Sequence, residues 1–513
     1  YLVGVANTPA GWVYSGAPAL PAGTQVDYNS HLAKMWQGSR GQWDYHLLFT
    51  PEPHRGLPLV QGFYVALGAL AHITPFSLPL VYHLARFLLT VGMVIALWQF
   101  AAHFFDQPRE RWLAVLVATV ASGWSWLLLM VDPAQASAVS PIEFWLLDAF
   151  NLLGALSMPH FAAAVILQIA AVLAFERWAA DEGQGRRGLV VLTLALAAES
   201  FVQPYVILLL GPLFVLLTAY HIWGTRQIWL RRALWLVIPL GIHAVLVGYQ
   251  YLAMNGDPIW ADFAAQNLTL SPPPIYYLLG YLPFLIPIVW AGRRLLQPRW
   301  ALPLLWMLLV VGLIYAPLPT QRRYLLGVQT PLAVLAVVGW TQGVLPKLRR
   351  GYRPLATAIY VLLASLGMIG MLFANLGVAR FPETSGVYYS PDEWQAIIWL
   401  RAQQADNPDG VILTTFDRAG QGSGGRVVAA TGQRVYAGHW IETVSLDAKV
   451  EDLKRFYDPT TPDTWRQTFL KQMGITTIWY DEYAQALGSW NPAQADYLQP
   501  VFTSGFITIY RTQ

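Results

Sequence analysis

The residues best suited to chemistry in this sequence crowd into one polar stretch between positions 24 and 56, TQVDYNSHLAKMWQGSRGQWDYHLLFTPEPHRG. Asp27, His31 and Lys34 fall at i, i+4 and i+7, while Tyr28, Leu32, Met35 and Trp36 fall at i, i+4, i+7 and i+8. A short helix with a carboxylate on its polar face and an apolar face opposite is the expected result, with Gly38 as its stop. Asp27 could act as a general base, taking a proton from a hydroxyl. It could equally be a first-turn acid stabilised by the exposed N–H groups of a helix N-terminus. Asp44, Glu52, His54 and Arg55 follow in a Pro- and Gly-rich loop. Asp44 and Glu52 could be further acids of the site, could hold a divalent cation with Asp27 through oxygen ligands, or could be solvated loop charges. His54, His160 and His439 have no metal-ligand spacing of the HExxH kind, so zinc is not expected.

The elements that must position these groups are mostly membrane helices. The chain has 513 residues, of which 55% are hydrophobic and only 12% charged, about half the charge of an ordinary soluble protein. Apolar runs fall near 79–104, 111–130, 159–178, 188–200, 204–223, 233–253, 275–292, 300–316, 324–342 and 354–374. The opening YLVGVANTPAGWVYSG reads as the outer end of a truncated first helix, which gives about eleven spans in a polytopic α-helical membrane protein. Residues 57–74 are apolar too, but fit the charge pattern only as a helix on the outer face. There is no cysteine, which removes disulfides, thiolate metal sites and cysteine nucleophiles.

Charge supplies the topology. Residues 1–379 hold 21 Lys and Arg against 14 Asp and Glu, and residues 380–513 hold 11 against 15. Fifteen of the 21 lie in five alternate connections: Arg109/Arg111, Arg177/Arg186/Arg187, Arg226/Arg231/Arg232, Arg293/Arg294/Arg299 and Lys347/Arg349/Arg350/Arg353. By the positive-inside rule those connections face the cytoplasm. The basic excess therefore reports topology rather than nucleic-acid binding. The first loop (8–56) and everything after 374 then lie outside, in a cell membrane of the inner or plasma type. Lys34, Arg40, Arg55, Arg86, Arg322 and Arg323 oppose that bias. The pair in APLPTQRRYLLGVQTPL could clamp a lipid phosphate bidentately or snorkel to ordinary headgroups. Arg86, inside an apolar run, could be functional or a snorkelling arginine near a helix end. Arg322, Arg323, Arg86, His54 and Arg55 are the candidates to bind lipid phosphate or substrate.

From 380 onward the pattern changes. A helical pattern at 391–405, a strand-like GVILTT at 410–415, RVVAAT and RVYAG after a glycine-rich AGQGSGG, helices near 445–457 and 462–473, then ITTIWY and FITIY, predict a soluble α/β domain. The glycine-rich segment matches neither a Walker A loop nor a strand–GxGxxG–helix fingerprint. The division expected is 1–379 for the membrane domain and 380–513 for a non-cytoplasmic α/β domain.

This layout resembles the GT-C superfamily of integral membrane glycosyltransferases, bacterial type. The resemblance is carried by the first helix followed at once by a long outer loop with an early acid (Val-Asp-Tyr-Asn-Ser-His), by GQWDYHLLFTPEPHRG, by the Arg pair before a late span, and by the tail order WL…VILTT…TGQRVYAGHW…GITTIWY…IYR. It implies transfer of a sugar, with inversion, from a polyprenyl-phosphate carrier to an acceptor hydroxyl on the outer face. By position Asp27 matches the first-loop catalytic acid, and Arg322 and Arg323 the residues that hold the carrier phosphate. Asp27 has no acidic neighbour, so no Asp-Glu or Asp-x-Asp pair is present, and TTFDRAG stands where oligosaccharyltransferases carry Trp-Trp-Asp-Tyr-Gly. Expected partners are membrane lipid, the lipid-linked sugar donor and other membrane proteins. The competing reading is a non-catalytic membrane subunit that keeps the fold and binds lipid or a partner complex. A transporter fits less well, since no inverted repeat is visible.

Overall fold

The expected polar helix forms as α1 (Thr24–Ser39), entered through Gly23 at a φ of 88°. It runs one residue past Gly38, because Gly38 serves packing rather than termination. A Cβ on Gly38 would sit 2.0 Å from the Val65 carbonyl oxygen, and a Cβ on Gly68 would sit 2.0 Å from that of Met35. Gly38 and Gly68 thus let α1 cross α2 (Gly62–His72) backbone to backbone. The chain leaves α1 through Arg40.

The computed structural model describes the whole chain except residues 20–22, 133, 135–139, 181–184, 226–232, 379, 382–385 and 405–409. Arg226, Arg231 and Arg232 lie outside the described residues. The rest packs as two units, one of Tyr1–His83, Tyr251–Asn267 and Ala374–Gln513, the other of Leu84–Gln250 and Leu268–Phe373.

In the first unit the tail contributes helices α3 (Pro391–Gln403), α4 (Gly424–Thr431), α5 (Leu446–Tyr457) and α6 (Asp463–Gln472). It also contributes strands β1 (Val411–Leu413), β2 (Ile475–Tyr480), β3 (Leu498–Ser504) and β4 (Ile507–Thr512). The sheet order is β1-β2-β4-β3, with β1 parallel to β2 and the other pairs antiparallel. RVVAAT, following the glycine-rich loop, is helical. RVYAG touches the sheet through a single parallel bridge, Val435 to Ile412. The early loop is built into the tail's core: Val26 packs with Leu413, Tyr436 and Ile478, and Ala33, Leu48 and Phe49 pack with Ile397, Val427 and Trp479.

The second unit is helical. Five helices of the described chain are long and apolar enough to cross a membrane: Leu78–Phe104, Pro159–Ala180, Pro204–Trp223, Leu234–Asn255 and Arg350–Val378. Two bent pairs, Pro108–Val120 with Ser125–Val131 and Pro274–Gly280 with Leu282–Leu296, bring the number to seven. The expected runs near 188–200, 300–316 and 324–342 contain the shorter or broken helices Gly185–Val202, Ala301–Leu313 and Gln329–Val338. Both bends fall at the same place. A Cβ on Gly123 would lie 2.5 Å from the Gly280 Cα, and the unwound backbone there finds partners in Ser122 N–H to the Ala364 carbonyl (2.7 Å) and Trp124 N–H to that of Leu279 (3.0 Å). A helix can break in an apolar setting only where its freed backbone groups are satisfied this way.

Gly38→Ala should force α1 and α2 apart and lower the melting temperature, since overpacking of this kind costs about 1–3 kcal/mol. Gly248→Ala, a helical glycine with open space where the Cβ would go, should leave the melting temperature unchanged or raise it. Equal melting of the two variants would show that the α1–α2 crossing tolerates a side chain.

Candidate active site

Asp27 lies in the first turn of α1, where the helix N-terminus favours a carboxylate, and the N-cap residue Gly23 offers no side chain of its own. The Asp27 side chain is 41% exposed, and its Oδ1 stands 3.6 Å from Nε2 of His439, whose side chain is 5% exposed. His439 Nδ1 accepts the backbone N–H groups of Ile441 and Glu442, both at 3.1 Å. With Nδ1 accepting, the proton of the neutral ring sits on Nε2, which makes no hydrogen bond among the described residues and lies 3.6 Å from Asp27 Oδ1. His439 in this tautomer is a donor, which leaves Asp27 as the group able to take a proton. At 3.6 Å the contact is electrostatic rather than a hydrogen bond.

Below this pair lies a buried polar network. Lys34 Nζ donates to Glu442 Oε1 at 2.6 Å and to Ser30 Oγ, while Ser30 and Tyr45 donate their hydroxyls to the two Glu442 oxygens. Asp27, Ser30 and Lys34 share one face of α1 and meet the 438–443 turn. His31, expected on the same face, instead stacks on Tyr64 with ring centroids 3.8 Å apart. Burial pushes the Glu442 pKa up, but the charge of Lys34 and the hydrogen bonds from Lys34 and Ser30 outweigh it, holding the carboxyl below its ordinary value. Burial and the same carboxylate push the Tyr45 hydroxyl well up, so it stays a donor.

The turn carrying His439 and Glu442 is seated by the glycine-rich segment. A Cβ on Gly424 would lie 1.9 Å from the Ala437 carbonyl oxygen, so the start of α4 can press on the 437–438 backbone only because that residue is glycine. These glycines serve packing. Sequence reading did not find Ser30, Tyr45 or Glu442 as partners of Asp27's helix, and it considered His439 only as a metal ligand. The one available signal was the polar spacing of His439 and Glu442 within GHWIET.

The remaining candidates are dispersed. Glu52 pairs with Lys449 at 2.8 Å, and Lys449 also donates to Thr50 Oγ1 at 2.6 Å. Burial lowers the Lys449 pKa and Glu52 opposes that shift. Asp44 is exposed on a two-residue ladder with Pro58. Among the described residues no three His, Cys, Asp or Glu side chains converge as a metal site, so Asp27, Asp44 and Glu52 do not form one. His54 Nε2 accepts the Leu47 N–H at 2.9 Å, and its Nδ1 lies 2.7 Å from the Glu52 carbonyl, to which it donates. Burial lowers its pKa, so at neutral pH it is an uncharged brace of the loop. Arg55 donates to the Ala253 carbonyl at 3.2 Å, and its own carbonyl accepts from Trp260 Nε1 at 2.9 Å.

In the second unit Arg86 donates to the Leu156 carbonyl. Arg322 and Arg323 lie in a short helical turn, Gln321–Leu325. The Arg322 guanidinium stacks over Trp145 at 5.0 Å, and Arg323 faces the buried Asp148 at 3.6 Å.

No protein-family model matches the sequence, and no curated protein does either. Solved structures do. The archaeal oligosaccharyltransferase AglB from Archaeoglobus fulgidus, solved with an inhibitory peptide and dolichol-phosphate, is similar over 95% of this chain and 70% of its own, with a TM-score of 0.51 and 12% identity. ArnT from Cupriavidus metallidurans, bound to undecaprenyl phosphate, is similar over 99% of this chain and 96% of its own, at 0.52 and 11%. The arabinofuranosyltransferase AftD from Mycobacteria covers 99% of this chain with 40% of its own, at 0.52 and 14%. All three are glycosyltransferases of the GT-C superfamily, and the fold of this chain is the GT-C fold. It is a membrane protein of that architecture.

Lys34→Met should cost about 3–5 kcal/mol, because it strands a buried carboxylate. Lys34→Met with Glu442→Leu should recover most of that loss in melting temperature; additive losses would mean that the pair is not coupled. Because the Glu442 pKa is lowered in the folded state, its stabilising contribution is full at neutral pH and is lost as pH falls through that lowered value. The melting difference between wild type and Glu442→Gln should therefore shrink on acidification below the ordinary carboxylate range.

Proposed function

We propose that this protein transfers a sugar from a polyprenyl-phosphate carrier to an acceptor hydroxyl, on the non-cytoplasmic side of a cell membrane and with inversion. The observation that carries this reading is the part-exposed Asp27 carboxylate in the first turn of α1, 3.6 Å from the buried His439 Nε2. The GT-C fold, and the lipid phosphates bound by AglB and ArnT, support it.

Asp27 takes the acceptor hydroxyl's proton as that oxygen attacks the anomeric carbon. The bond from this carbon to the carrier phosphate breaks, and the phosphate leaves with the electron pair. Arg322 and Arg323 hold the carrier phosphate and meet the charge that grows on it. A guanidinium suits this because its fork matches phosphate oxygens and stays charged at every relevant pH. Trp145 orients Arg322, and Asp148 holds Arg323. His439 is a positioning residue, acting on Asp27 electrostatically from its Nε2 side. Arg86, His54 and Arg55, each engaged with a backbone carbonyl or amide, belong to the scaffold in this reading.

Asp27→Asn should lower transfer from a polyprenyl-phosphate donor by about 10²–10⁴-fold with unchanged melting. His439→Ala should lower kcat less, with partial rescue by His439→Gln, which keeps an N–H donor. Arg322→Gln with Arg323→Gln should raise the donor KM. Equal rates for wild type and Asp27→Asn would remove Asp27 from the reaction. Wild type inert across a broad donor and acceptor panel would leave the non-catalytic membrane subunit as the reading.

The same proposal includes about eleven spans, cytoplasmic Arg-rich connections, and residues 380–513 as a non-cytoplasmic α/β domain beyond a membrane domain of 1–379. In this cysteine-free chain, Lys454→Cys should react with an impermeant thiol reagent on intact cells, and Gly351→Cys should not. The reverse labelling would overturn the orientation.

A further inference from the structure

A cleft of about 780 Å³ lies beside the start of α1, within the size range of small-molecule sites. Its lining carries four carboxylates, Asp392, Glu393, Asp481 and Glu482, against one guanidinium, Arg426. That guanidinium is engaged internally. It holds Glu393 with two bonds of 2.7 Å and donates to the Tyr388 carbonyl at 2.6 Å. Among the described residues of the lining no free cation faces a ligand, and the four carboxylates would repel a phosphate or a carboxylated ligand.

Two of the acids are oriented before any ligand arrives. Arg426 fixes Glu393, while Trp479 Nε1 (2.8 Å) and the Ala484 N–H (3.0 Å) fix Asp481. Each carboxylate oxygen has lone pairs beyond those contacts. The amides of Asn29 and Gln421, also in the lining, offer donors and acceptors together. A ligand matching such a wall presents groups that both donate and accept, which describes hydroxyls. Tyr483, 39% exposed, and Phe506, 46% exposed, add flat apolar surface for the C–H face of a ring. Gly23, Val26 and Asn29 of the wall belong to the helix end that carries Asp27, and Gly438 immediately precedes His439.

We infer that this cleft binds the acceptor as a saccharide, neutral or amino-substituted, and places one of its hydroxyls toward the Asp27 end of α1. This rests on the proposed sugar transfer for the word acceptor, but the site itself is tested by binding. Saturation-transfer NMR on the full chain in lipid nanodiscs, with a panel of neutral, amino and uronic acid disaccharides and with trilysine, should give signal from neutral or amino sugars and none from the acids. Glu482→Gln with Tyr483→Ala, both exposed positions, should weaken that binding by about tenfold or more, and Phe506→Ser provides an independent second variant. Sugar binding insensitive to these variants, preference for uronic acids, binding of trilysine alone, or no binding by any sugar would each overturn the site. Sugar binding without any transfer would sink the reaction and leave the site standing, whereas transfer without binding here would do the opposite.

Discussion

Two ion pairs of opposite polarity, one buried at both ends and one with a part-exposed carboxylate, join the early loop to the tail, and the candidate site depends on both. Lys34 of the loop meets Glu442 of the tail, and Lys449 of the tail meets Glu52 of the loop, across sequence separations of 408 and 397 residues. Buried charges are tolerated only when paired and hydrogen-bonded. Each pair has the extra partners it needs, Ser30 and Tyr45 for one and Thr50 for the other. Apolar packing alone would accept small shifts of α1 along the tail. Charge pairs at both places do not, and they fix the register that puts Asp27 opposite His439.

Close backbone approach does the complementary work. Gly38 and Gly68 bring α1 onto α2, and Gly424 brings α4 onto the turn that carries His439. In each case the missing side chain shortens the distance between two backbones, so the polar groups they carry reach one another. The glycine-rich AGQGSGG has the composition of a phosphate-binding loop, yet the close contact at Gly424 is with protein backbone.

The second unit solves a different problem, that of polar groups in an apolar setting. The helix break at 121–124 donates to the Leu279 carbonyl of the break near Gly280 and to the Ala364 carbonyl, and the arginines at 322 and 323 are held by an indole face and a buried carboxylate.

By itself the sequence determined the class of protein, the polar helix and its Asp27, most of the helices and strands of the tail, and the GT-C resemblance. These follow from periodicity, charge bias and local propensity, which act over a few residues and are written in order along the chain. Tertiary structure decided the rest. It made Gly38 a contact rather than a stop, turned His31 away to Tyr64, and broke apolar runs that read as continuous spans. It paired Glu52 with Lys449 instead of gathering it with Asp27 and Asp44. Above all it chose His439 and Glu442 as the neighbours of α1. Pairings across some 400 residues leave no local pattern, since the free energy that selects them comes from burying two distant surfaces together.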